Sequence, residues 1–165
     1  MNKYKLSEET LEIYGHVLHR IIALRDFGDV KKGDLGGFIE KESNLAHDWN
    51  CWIYNDAVVH GDAMVWGDAE VCGNAEVYGN ATVGDNATVC GNAIVCGDAE
   101  VYDDAVVRGN ATVCGNVTVC GNAEVYDDAV VRGNATVCGN AKVCGNAKVC
   151  GKATVCGNAK VEKKI

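Results

Sequence analysis

The sequence predicts an all-β solenoid of short stacked strands, closed at its start by a β-hairpin. Three observations carry that expectation. A six-residue period runs without a gap from residue 55 to residue 162, giving 18 consecutive units. The fifth position of the unit is Val in all 18, and the third is Ala in 17 with Val117 the exception. The second position is Asn or Asp in 17 units, and most units open with Gly.

Taken in chain order, the segment Leu11–Leu24 reads as a β-hairpin with its turn near Gly15. Residues 33–44 (GDLGGFIEKESN) form a glycine-rich lead-in. Residues 44–54 read as an irregular first coil, with Leu45, Cys51 and Ile53 inward. Regular units follow from Asn55. In each, Ala and the Val two places later point to the same side of a short strand, and the residues beside them point the other way. Gly-Asn or Gly-Asp supplies the turn, because both residues tolerate positive φ. One such strand cannot bury its apolar side alone, but a stack of copies buries continuous Ala and Val columns. The expected organisation is a cap and lead-in over 1–42, a solenoid over 43–162 and a basic tail over 163–165. The cap shields the open strand edges of the first coil. The other end has no comparable cap and relies on Lys160, Lys163 and Lys164 to discourage strand addition.

These units resemble the hexapeptide repeat of left-handed parallel β-helix proteins. Val83-Gly84-Asp85-Asn86-Ala87-Thr88 matches that motif as it stands, whereas the other units move Gly one place later and put Cys, Tyr or Arg after Val. The resemblance covers about two-thirds of the chain. It implies left-handed winding, three hexapeptides per coil and six to seven coils. At about 4.8 Å between stacked strands, six coils make a prism roughly 29 Å long with a filled core. Hairpin, lead-in and repeats together also resemble hexapeptide-repeat proteins of phages and prophages. That resemblance implies a viral or mobile-element origin and carries no assigned activity.

Many members of the broader superfamily are acyltransferases, which implies trimers, a catalytic His at a subunit interface and a loop that interrupts the coils. Here the repeats hold one His, His60, and no interruption. The carbonic anhydrase branch needs three His around zinc, which a single repeat His does not supply. His16, His19 and His47 lie in the cap region without metal-ligand spacing. Nine of the ten Cys follow the inward Val and are expected at outer corners. Cys72 then stacks on Cys90, Cys96 on Cys114, and Cys120 on Cys138 and Cys156, read first as small corner fillers, with redox pairing of neighbours and then a metal site as the alternatives. No catalytic residue, metal or cofactor is expected.

Function is therefore expected on the outer surface. The outward residues of the first coils are distinctive: Trp49, Trp52, Tyr54, His60, Met64 and Trp66, with Tyr78 one coil beyond His60. Exposed aromatic residues and Met are enriched at protein interfaces, and the equal alternative is that some of these residues pack under the N-terminal cap. Charge is segregated, with residues 49–132 at net -11 and residues 133–165 at net +5. Glu70, Glu76, Glu100 and Glu124 are the outward strand carboxylates. The leading expectation is a non-enzymatic binding or scaffold protein that engages a protein partner, with countering a host defence as a special case. An acyltransferase-like enzyme and an acidic nucleic-acid mimic are the alternatives. A homo-oligomer, a trimer by family analogy, is an expectation of the same kind.

Net charge -8 argues against a general binder of nucleic acid or anionic membrane. No run approaches the roughly 20 apolar residues of a membrane span. The first residues, MNKYKL, lack the apolar core of a signal peptide, so a cytoplasmic location is expected.

Overall fold

The computed structural model describes residues 1–165. It is all-β apart from one 3-10 turn at Glu42–Asn44. Strand β1 (Tyr4–Ile13) turns at Tyr14 and Gly15 and pairs antiparallel with β2 (His16–Ala23). The hairpin turn is where the sequence places it, but its first strand begins seven residues earlier. Next, β2 pairs antiparallel with β3 (Leu35–Ile39), and β3 pairs parallel with Val58–Val59 in the first regular unit. The hairpin thus continues one face of the solenoid beyond its first coil.

From there the chain winds through seven three-sided coils. One face stacks β3 and then a rung every 18 residues from Val58–Val59 to Lys148–Val149. A second runs from Trp52–Ile53 to Lys160–Val161. The third runs from Met64–Val65 to Thr154–Val155, with Leu45 bridged to Val65 as its irregular first rung. The three-sided coil follows from the strand–turn alternation of the unit. Each coil donates backbone hydrogen bonds to the next: Glu70 N–H to the Ala87 carbonyl at 2.9 Å, Cys72 to Val89 at 2.9 Å and Asn74 to Gly91 at 2.8 Å.

Inward Ala and Val residues from Ala57 to Val149 are all but inaccessible, Val117 included. The interior is a column of methyl groups with no internal cavity. Leu45, Cys51 and Ile53 continue it upward. Gly36 and Gly37 in β3 are obligatory there. A Cβ on Gly37 would lie 2.3 Å from the Ala57 carbonyl oxygen, and one on Gly36 would lie 2.5 Å from Ile21.

At the far end the chain departs from the expected bare terminus. The Ile165 N–H bonds the Lys148 carbonyl at 2.8 Å, and the Cys150 N–H bonds the Ile165 carbonyl at 3.3 Å. The tail therefore covers one of the three terminal strand edges.

Candidate functional site

The first position of every unit has positive φ, and two kinds of residue occupy it. Fourteen are Gly, and the others are Asn55, Asp85, Asp103 and Asp127. The second position carries the asparagine ladders. Asn74, Asn92, Asn110 and Asp128 link amide to oxygen down one corner at 3.0–3.3 Å, and Asn122, Asn140 and Asn158 do so down another at 3.2 Å. These side chains bond one another along the axis and form no pocket.

Against this repetitive background, two clusters stand out near the start of the solenoid. The first is a tryptophan corner. Trp49 is 59% exposed and meets Trp66 edge to face, with ring centroids 6.4 Å apart. Its φ is 58°, a left-handed conformation that is rare for a bulky side chain. Trp66 lies over Gly84 in the next coil, where an added Cβ would sit 2.1 Å from the indole ring. Gly84 is the only unit-final Gly in the repeat, so its missing side chain makes room for the ring. Asp68, Asp85, Gly67 and Asn86 complete a shallow depression of about 260 Å³. The Asn50 N–H holds one Asp68 oxygen at 3.1 Å. Met64, on the adjoining outer face, is 44% exposed.

The second cluster lies where the hairpin crosses the corner of the first regular unit. His16 at the start of β2, Glu40 just after β3 and His60 at the end of the first unit present nitrogen and oxygen atoms within 4.8 Å of one another. His16 Nδ1 and Glu40 Oε1 are 2.9 Å apart. Glu40 Oε2 accepts the Gly61 N–H at 2.7 Å. The hydrogen bond to His16 does most to hold the Glu40 carboxyl below the usual carboxylate range, and the Gly61 N–H adds to it. The His60 ring stacks on Tyr78 at 5.2 Å and is only 4% exposed. Burial pushes its titration below the ordinary histidine value of 6.5, with His16 acting the same way and Glu40 opposing.

For three of the outward residues this arrangement overturns the free-surface expectation in favour of packing under the cap. His60 and Trp52 are buried, not free, and Tyr54 is half-buried. Trp52 does face away from the Ala–Val column, but Tyr4 and Phe27 cover it edge to face at 6.2 and 5.2 Å. Val58 is likewise sealed, by Leu18 and Phe38. The N-terminal residues also bury Lys3, whose Nζ donates to the Cys51 carbonyl at 2.7 Å. Of the seven candidates, Trp49 and Trp66 meet at one corner with Met64 exposed on the adjoining face, while Tyr78 stacks on His60 from the next coil.

The acidic strand residues do not gather. Glu70 and Glu124 lie on one face, Glu76 on another and Glu100 on the third. Glu124 is also paired with Arg108 at 3.3 Å and Lys142 at 3.1 Å. The cysteines stack in register as expected, with Cys96 opposite Cys114, and all ten are free thiols. Burial, aided by the neighbouring thiol, pushes Cys72 up to about 11, so it stays protonated at neutral pH.

No long loop leaves the coils, and the one repeat histidine lies under the hairpin. No helix is long and apolar enough to cross a membrane. No protein-family model matches the chain. Over 67 residues the chain is 40% identical to a protein of Escherichia coli (strain K12) named "Uncharacterized acetyltransferase YdcK", a match covering 36% of this chain. That match spans only 21% of the relative's length. Unbroken six-residue units and three-sided coils of stacked parallel strands make the chain a parallel β-helix built from hexapeptide repeats.

Proposed function

We propose that the protein is a non-enzymatic binding solenoid whose tryptophan corner takes a cationic segment of a protein partner. One observation carries this reading: an edge-to-face pair of exposed Trp49 and half-buried Trp66, bordered by Asp68 and Asp85. A guanidinium or ammonium group gains from an indole face and from adjacent carboxylates together. The surrounding charge, net -11 over residues 49–132, draws a basic partner toward this corner. The likeness to phage and prophage repeat proteins makes a bacterial host protein the first class of partner to test.

The experiment is a titration with a short Arg-containing peptide and a matched peptide carrying Glu instead, read by tryptophan fluorescence. The Arg peptide is expected to saturate the signal, to bind more weakly as salt rises, and to lose affinity in Trp66→Ala. Equal response to both peptides, or an unchanged response in Trp66→Ala, would overturn the reading.

Acyl transfer is the second reading, favoured by the name of the E. coli relative. It requires a site for an acyl donor. Calorimetric titration with acetyl-CoA separates the two readings, since measurable binding belongs only to the second.

A further inference from the structure

We propose that His16, Glu40 and His60 form a binding site for a late first-row divalent cation of the zinc type, which ties the hairpin to the first regular coil. Two imidazoles and one carboxylate are a donor set such ions prefer, with a position left for water. The three groups come from three separate segments, so their meeting is a product of the fold. His16 belongs to β2, Glu40 follows β3 and His60 closes the first unit.

Two independent observations point to a ligand. The first is distance. The donor atoms lie within 4.8 Å of one another, and His16 Nδ1 and Glu40 Oε1 are already 2.9 Å apart. With ligands at about 2.0–2.1 Å, donor atoms around a tetrahedral zinc sit about 3.4 Å apart. The existing pair needs to open by about half an ångström, and the rest needs to close by about 1.4 Å at most. The second is an orphan. His60 is 96% buried by its 4% exposure, and its Nε2 has no hydrogen-bond partner. Buried polar nitrogens are nearly always partnered, so this one calls for an explanation.

The surroundings suit a metal. Tyr78 stacks flat against the His60 ring and fixes its plane. The Gly61 N–H holds the second oxygen of Glu40, leaving Oε1 to the cluster. The His16 side chain is 40% exposed and that of Glu40 28%, which gives the ion and its water a path in. The cap would then be latched by a bond stronger than the single hydrogen bond now joining His16 to Glu40.

The test uses the full chain, stripped with a chelator under reducing conditions and then titrated with Co²⁺ and Zn²⁺. Ten thiols could bind either metal, and Co²⁺ distinguishes them because thiolate ligands add a strong near-ultraviolet charge-transfer band. The expected result is one equivalent of Co²⁺ with visible ligand-field bands and no thiolate band, displaced by Zn²⁺. Glu40→Gln keeps an oxygen for the Gly61 N–H, and His16→Ala removes a half-exposed ring, so both are expected to fold. Each is expected to weaken binding by at least about tenfold. Absence of the ligand-field bands, a thiolate band at first equivalence, or unchanged affinity in both variants would overturn the proposal.

Discussion

Asp127 shows how a single position can violate the repeat and still hold its place. Its φ of 58° is a conformation that most units assign to Gly. A non-glycine residue there costs about 1–2 kcal/mol. Asp127 offsets this with Oδ2, which accepts the Gly145 N–H of the next coil at 3.1 Å. Asp103 does the same for Gly121 at 2.9 Å, and Asn55 uses Oδ1 for Gly73 at 3.2 Å. Asp127→Gly is therefore expected to change stability by less than about 0.5 kcal/mol, since relieved strain balances the lost bond. Asp127→Ala keeps the strain and loses the bond, and is expected to cost about 1 kcal/mol, read by urea unfolding. Gly84 makes the opposite point, because here the consensus residue would do harm. Gly84→Cys restores the commonest unit ending but puts a Cβ into the Trp66 ring. It is expected to lower the melting temperature and to shift Trp66 fluorescence to the red as the ring is displaced into water.

At the scale of the rung, each inward Ala directly follows a turn, so an Ala column runs inside each corner of the coil. Ala111 and its neighbours are fully buried, so extra methylenes have nowhere to go. Ala111→Leu is expected to destabilise by about 1–3 kcal/mol, whereas the outward, half-exposed Thr112→Val stays within about 0.5 kcal/mol, both by urea unfolding. These rungs were legible in the sequence because each inward position repeats 18 times and thus states its own environment. The cap was legible only as a hairpin. Whether its residues would cover His60 or Trp52 depends on contacts such as His16 to His60, which span 44 positions and occur once. Alternation correctly pointed Trp52 away from the column, but nothing periodic marks Tyr4 and Phe27 as its cover. The docked hairpin also predicts an acid response. The His60 value lies below 6.5 in the folded chain, so as pH falls through 6.5 the unfolded chain takes up a proton the folded one refuses. Stability is expected to drop from that point downward. The depressed Glu40 begins to matter only lower, once pH falls below the usual carboxylate range. The melting temperature between pH 7 and 5 is expected to fall less in His60→Gln than in the parent protein, and equal slopes would contradict this origin.

For the whole molecule, stability is a sum over coils that touch only their neighbours. The stack is joined by one repeated hydrogen-bond pattern, and the interior columns are nearly uniform from Ala57 to Val149. Position along the axis therefore matters little in the middle, while phase around the axis matters greatly. Removing residues 97–114 deletes one complete coil and leaves Val95 followed by Gly115 two places later, with every Ala and Val still inward. Removing 97–113 deletes one residue fewer and throws each later rung out of phase, turning Val toward water and its polar neighbour into the column. The 18-residue deletion is expected to fold, to keep a parallel-strand circular dichroism spectrum, and to lose only one coil's share of the unfolding free energy and denaturant dependence. The 17-residue deletion is expected to leave the C-terminal coils unfolded and open to protease, although it removes less of the chain. The comparison tests the column directly, because the two proteins differ by one residue in length and share all other contacts at the cap. If both deletions unfold alike, the coils depend on something beyond their nearest neighbours. If both fold alike, the inward Ala and Val columns do not set the register.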